Sequence, residues 1–301
     1  MAEVDKSAFG VVGANYKTHL PQRQKPKLQN KLRGKPIVAA VLLLAITAGC
    51  IFASILANHD PSGFYLQSLN QPPNAEFYFG TDSLGRDIYS MIWYGGRVSL
   101  SIGLMSMCII CAIGIPYGCI SGLATTKVDA VLMRIVETAS SIPNLLMVLL
   151  LVSVTGKQNA FTLSAIIGIT GWFPLARIVR SEVRQIRSSE YVLAARCMGV
   201  RFPQIMTRHL IPNFVSSILF VVISSISSSI SMESTLSFLG LGLPVDVISW
   251  GSMLSLANRA LLLGTWWVIL IPGIFLIVTL NCITSLGNYY RKGINQKHSN
   301  L

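Results

Sequence analysis

Six stretches of the chain run without Asp, Glu, Lys or Arg: 36–57, 98–126, 138–156, 158–176, 210–232 and 260–290, of 22, 29, 19, 19, 23 and 31 residues. A helix rises about 1.5 Å per residue, so roughly 20 residues cross a hydrocarbon layer about 30 Å thick. The pattern predicts an all-α polytopic membrane protein with six transmembrane helices, their ends frayed or tilted. The first stretch follows a 35-residue leader. Its apolar run exceeds the about 7–15 residues of a signal-peptide core, so it reads as a retained anchor. Pro143, Pro174 and Pro272 are expected to kink or bound helices, which membrane bundles tolerate.

Composition sharpens this picture. Hydrophobic residues make up 52% of the chain and charged residues only 12%, with a mean hydropathy of +0.58. An average soluble domain carries roughly 25% charged residues, so most soluble enzymes and disordered readings are excluded. The net charge of +12 would suit nucleic acid, but its distribution argues otherwise. Segments on the amino-terminal side of the membrane sum to +14 and those on the other side to −2, with 20 and 4 Lys plus Arg respectively. This positive-inside asymmetry predicts that both termini are cytoplasmic. None of the six Cys falls in an outer loop, where an oxidising compartment could pair it. The organisation predicted is a basic cytoplasmic leader over 1–35, a membrane domain over 36–292 and a cytoplasmic tail over 293–301. No nucleic-acid partner follows, but membrane lipid does.

The 177–209 segment is long for a connector, and seven Arg against two Glu mark it. Ser189-Glu190-Tyr191-Val192-Leu193-Ala194-Ala195 reads as a capped helix start, and Gly199 breaks it. A second short helix is predicted over 201–210, with Pro203 in its first turn. Two short helices bent at a glycine form a knob. Ala194 and Ala195 would let a partner approach closely, and Tyr191 and Phe202 supply larger anchors. The same arginines would also hold the inner face near anionic lipid.

Span five carries eight Ser in the sixteen positions 216–231. Ser217, Ser224, Ser228 and Ser231 share one helical face. They suit a neutral polar wall along a translocation path, or close helix packing through small residues. Glu233 is expected at the outer end of this span, either as a charge at the mouth of the path or as a solvated helix end. Beyond it, 237–242 is apolar and glycine-broken, a re-entrant or surface-lying element on the outer face. Trp250, Trp266 and Trp267 are expected as interface anchors. In the 58–97 outer segment, Asp82, Arg86, Asp87 and Arg97 are balanced charges, and Gly80, Gly85, Gly95 and Gly96 allow tight bends. A cap folded by local ion pairs is the expectation. No metal-binding or nucleophile motif is present. The Cys108-x-x-Cys111 pair lies inside an apolar helix with no nearby His or acid, and reads as packing. The chain carries no G-x-x-x-x-G-K-[ST] phosphate loop, so it is not expected to bind ATP.

Three ordered blocks carry a resemblance. Glu190-Tyr191-Val192-x-Ala194-Ala195-Arg196-x-x-Gly199, followed by His209-Leu210-Ile211-Pro212-Asn213, resembles the cytoplasmic loop of ABC importer permeases. Phe79-Gly80-Thr81-Asp82-x-Leu84-Gly85-Arg86-Asp87 with Tyr94-Gly95-Gly96-Arg97, and Leu236-Ser237-Phe238-Leu239-Gly240-Leu241-Gly242 leading to Trp250-Gly251, agree with it. The match is narrowest to the C-type permeases of dipeptide, oligopeptide and nickel importers and covers roughly 36–292. It implies a type I importer fold in which the cytoplasmic loop forms a coupling helix. Glu190, Tyr191, Ala194, Ala195 and Gly199 would then dock on an ATPase subunit. Asp82, Gly85, Arg86 and Asp87 would form an outer contact with a substrate-delivery protein. The general importer motif has Glu directly before the paired alanines, whereas this chain has Leu193 there and Glu190 three places earlier.

The implied assembly has a B-type permease as heterodimer partner, two ATP-binding subunits that consume Mg-ATP, and an extracytoplasmic binding protein. This chain would be a non-catalytic permease subunit in the bacterial plasma membrane, importing peptides or a nickel or metal chelate. A secondary transporter driven by an ion gradient would instead need an acid or His at mid-membrane, and an embedded enzyme would need a convergent polar set. Neither is evident in the spans.

Overall fold

The computed structural model describes residues 36–156, 159–190, 192, 197–198, 200, 211–244 and 246–298; the side chains of 211–217, 258–259 and 292–298 lie outside the description. Among the described residues the regular secondary structure is α-helical, with one isolated bridge between Thr81 and Asp87 in the irregular 57–87 segment. The helices are α1 (Ile37–Ile51), α2 (Ala53–Leu56), α3 (Ile88–Leu123), α4 (Thr126–Ser140), α5 (Asn144–Thr155), α6 (Ala160–Gly171), α7 (Phe173–Arg187), α8 (Ile211–Phe238), α9 (Trp250–Leu254), α10 (Ala257–Leu263) and α11 (Trp267–His298).

Three of these helices, α3, α8 and α11, are long and apolar enough to cross a membrane singly. The pairs α4–α5 and α6–α7 pass the same test jointly but bend by 79° and 45°, which makes up to five crossings. The first predicted stretch does not form one helix. α1 has 15 residues, a length of about 22 Å at the α-helical rise. It stops at Phe52, where the Arg97 guanidinium takes up the carbonyls of Cys50 and Ile51. Pro143 separates α4 from α5, and Pro174 opens α7, so both bound helices. Pro272 lies inside α11.

α3 is the hub. Its Gly114, Gly118 and Gly122 recur every four residues and face α7. A Cβ on Gly118 would lie 2.6 Å from the Ala176 carbonyl oxygen and 2.7 Å from Val179. Small residues let helix backbones approach where lipid offers no hydrophobic drive to association. Ile110, Leu175, Val179, Val183 and Ile218 fill the space around this seam, and Val192 joins them from the loop beyond α7. A second cluster places Ile102 of α3 with Val148, Leu163, Ile167 and Leu236. A third ties Cys50, Ile92, Trp250, Met253 and Val268, joining α1, α3, α9 and α11.

α8 ends in a Schellman motif. Gly240, at φ +75°, donates its N–H to Ser237 O, and Leu241 N–H donates to Leu236 O at 2.9 Å. The glycine-broken 237–242 stretch is thus the end of α8 and its turn.

Candidate functional site

The outer block of charges is a folded knot. The Asp82 carboxylate accepts from the Leu84 and Arg86 backbone N–H groups at 2.8 and 2.9 Å and from Arg86 Nε at 2.8 Å. Asp87 caps α3 by accepting from Ser90 N–H at 2.9 Å. Asp82, Arg86 and Asp87 are all buried. Gly85 holds a positive φ where a Cβ would fall 2.3 Å from the Tyr65 carbonyl oxygen, so only glycine closes this turn. Gly95 and Gly96 differ from the expected bends. They lie inside α3, where Gly96 faces Cys50 and Trp250. Trp250 is fully buried and donates Nε1–H to Ile92 O at 2.9 Å, so it is a core residue and not an interface anchor. Trp267 is buried also and bonds Thr81 O, while Trp266 is exposed.

Glu233 is 0% exposed. Its Oε1 accepts from Ser249 at 2.7 Å and Ser237 at 3.0 Å, and its Oε2 from Ser99 and Ser234, both at 3.3 Å. Ser99 Oγ in turn accepts from Trp250 N–H at 3.1 Å. One carboxylate thus fastens α3, α8 and the start of α9, and it stands inside the bundle rather than at a solvated helix end. A Cβ on Gly251 would sit 2.7 Å from Glu233 Oε1, which accounts for glycine there.

The serines of α8 divide. Ser224 and Ser228, with Ser225 and Ser229, line a cavity of about 500 Å³ bounded by α3, the α4–α5 turn, the α6–α7 region and α8. Ser228 and Ser231 also border a shallower groove of about 470 Å³ that reaches Leu280 and Thr284 of α11. Ser217 lies on α8, but its side chain is outside the described residues. Ser140, Thr170, Asn144 and Arg177 add to the polar lining of the cavity. From sequence, Arg177 figures only as one of the seven arginines of the 177–209 segment, and Asn144 and Thr170 do not stand out. Their common signal was position: Asn144 follows Pro143, and Thr170 and Arg177 flank the Pro174 bend.

A charged joint sits at the arginine-bearing end. Asp129 of α4 accepts from Arg180 Nε at 2.6 Å, Arg184 Nη2 at 2.9 Å and Ser121 Oγ at 2.6 Å. Lys127, Asp129, Arg134 and Glu137 make α4 the charged member of the α4–α5 pair, ahead of the uncharged run 138–156. The Arg180 hydrogen bond is the largest influence on Asp129 and, with Ser121 and the charges of Arg180 and Arg184, outweighs its burial, so its pKa falls to about 2.

Of the predicted docking residues, Glu190 is described, in helical conformation just after Ser189, whose carbonyl accepts from Val192 N–H at 3.1 Å. Tyr191, Ala194, Ala195 and Gly199, with the second predicted helix over 201–210, lie outside the described residues. Among the described residues no three His, Cys, Asp or Glu cluster to hold a metal.

Long apolar helices wrapped around a hydroxyl-lined cavity define an α-helical membrane transport protein. Residues 114–295 match the family described as binding-protein-dependent transport system inner membrane component. The dipeptide transport system permease protein DppC of Bacillus subtilis (strain 168) is 35% identical over 256 residues, covering 85% of this chain and 80% of that protein. The oligopeptide transport system permease protein OppC of the same organism is 35% identical over 261 residues, covering 87% and 85%. A chain of the MetNI methionine ABC transporter, in a structure of its inward-facing conformations, shares the fold with a TM-score of 0.58 at 16% identity. It covers 68% of this chain and 96% of that one. The chain belongs to the ABC importer permeases, as a C-type subunit of the peptide transport family. It is a multi-pass inner-membrane subunit without catalytic activity of its own, and ATP hydrolysis falls to partner subunits.

Proposed function

We propose that this chain forms half of the membrane pathway of an ATP-driven peptide importer, with both termini in the cytoplasm. The other half is a B-type permease. Two ATP-binding subunits that consume Mg-ATP act from the cytoplasm, and an extracytoplasmic binding protein delivers the cargo. Energy enters where Glu190, Tyr191, Ala194, Ala195 and Gly199 dock on an ATPase. The path runs past Ser217, Ser224, Ser228 and Ser231, with Glu233 setting the geometry of its outer end. Asp82, Gly85, Arg86 and Asp87 shape the cap that meets the binding protein, by fold rather than by exposed charge.

The observation that carries this reading is the course of α7. It is bolted to α3 along the glycine seam, contributes Phe173 and Arg177 to the serine-lined cavity, and leads into the 188–210 connection that carries the predicted docking residues. A push on that loop therefore moves a cavity wall, because packed interfaces shift between discrete arrangements instead of deforming smoothly.

The test is peptide uptake by the complete complex in proteoliposomes, with ATP supplied on the ATPase side. Gly199→Pro and Ala195→Trp are expected to lower ATP-dependent uptake by about tenfold or more, the loss of roughly 1.4 kcal/mol or more of docking energy. Unchanged uptake in both variants, or uptake that persists without the ATPase subunits, would refute the reading.

A further inference from the structure

The cavity beside α8 holds more than a neutral wall. Arg177 lines it, donating from Nη2 to Ser140 Oγ at 2.9 Å, and forms no ion pair among the described residues. Among the described residues no Asp or Glu lines the cavity. Ser229 is only 1% exposed, lines the same cavity, and its Oγ has no hydrogen-bond partner among the described residues. The Ser224 Oγ, also on the lining, is buried and unpartnered as well. A buried hydroxyl without a partner costs stability, and a guanidinium presents a planar fork suited to a carboxylate. The volume of about 500 Å³ falls inside the range of roughly 300–1,000 Å³ typical of small-molecule sites.

Resting on the transport reading above, we propose that this cavity is a binding station for the carboxylate end of the cargo. Arg177 pairs with the terminal carboxylate, and the Ser224 and Ser229 hydroxyls meet the adjoining amide groups. The station selects a small solute with one free carboxylate and discriminates against an amidated or esterified end. A lipid phosphate would offer Arg177 similar chemistry. The free hydroxyls of Ser224 and Ser229 favour a solute with further polar groups over a headgroup followed by acyl chains.

The test uses the whole complex in nanodiscs, with native cysteines replaced by alanine and Ser224→Cys as reporter. Its thiol is labelled with methanethiosulfonates of opposite charge, and dialanine and dialanine amide serve as probes. The anionic reagent is expected to react about tenfold faster than the cationic one, after correction for their reactivity with a free thiol. Dialanine is expected to slow labelling by about tenfold and dialanine amide not at all, a difference the size of one charge-assisted pair. Arg177→Gln should abolish both the charge preference and the protection; Arg177→Lys should keep the first and weaken the second. Labelling without charge preference, or equal protection by the amide, overturns the role of Arg177 while leaving the serine-lined path standing. Protection that appears only when phosphatidylglycerol replaces phosphatidylcholine assigns the site to lipid and overturns the proposal. A reporter that neither reagent reaches in the cycling complex overturns the path itself.

Discussion

Glu233→Ala is expected to destabilise the permease by about 3 kcal/mol or more, because it strands several buried hydroxyls at roughly 1–3 kcal/mol for each unsatisfied group. The Ser99, Ser234, Ser237 and Ser249 hydroxyls all donate to this carboxylate, and Ser99 also receives the Trp250 N–H. Removing it breaks the tie between α8 and the start of α9, leaving Trp250 to hold α9 to α3, and opens a void against Gly251. Glu233→Gln keeps one acceptor oxygen and the side-chain volume, so it is expected to cost about 1 kcal/mol. Thermal unfolding in detergent and the yield of assembled complex measure both. An alanine variant as stable as the parent would show that the four hydroxyls find other partners.

Asp129 is expected to be the second most sensitive position. Asp129→Ala removes the acceptor shared by Arg180, Arg184 and Ser121 and leaves α4 held to α7 by the Arg177–Ser140 hydrogen bond and the packing of Met133 and Val136 on Phe173. Breaking a buried pair costs about 3–5 kcal/mol, but Arg180 and Arg184 are 28% and 40% exposed, so solvent screening lowers the figure to about 2 kcal/mol. The pH dependence has a definite sign. The folded pKa of about 2 lies below the ordinary value of 3.8, so this stability is fully present above about pH 4 and is lost as pH falls through about 2. The difference in unfolding midpoint between the parent and Asp129→Asn should therefore shrink over that interval. A constant difference across it would assign the effect to packing instead of charge.

Much of this architecture was legible in the chain. Apolar runs located α3, α8 and α11 because a bilayer demands length and low charge, and both are one-dimensional properties. The bends were harder. The α4–α5 region reads as a loop and a span, yet α4 is a separate helix turned by 79°, and contacts distant in sequence, Asp129 with Arg180, Ser140 with Arg177 and Met133 and Val136 with Phe173, explain where it lies. The candidate site shows the same division. Ser224 and Ser228 were found from spacing on a single helix. Arg177 was counted among cytoplasmic arginines because its relation to Ser140 and Ser229 depends on the α6–α7 bend. The charges of the outer block were visible but not their burial. Asp82 and Arg86 are four residues apart in an irregular turn, where helical spacing rules say nothing about direction. Glu233 is expected from sequence at the outer end of span five, with Ser237 one helical turn beyond it, but its partners at 99 and 249 come from two distant regions that only the folded bundle unites.

The central claim is that the loop after α7 is the surface an ATPase subunit grips. A photo-crosslinking residue placed at Glu190 in the assembled, membrane-embedded complex tests it most directly, with the same residue at Arg134, 83% exposed on α4, as the reference position. The account predicts an adduct between position 190 and an ATP-binding subunit, weakened by Ala195→Trp, and little capture from position 134. Capture of the ATPase from position 134 with none from 190 would contradict it.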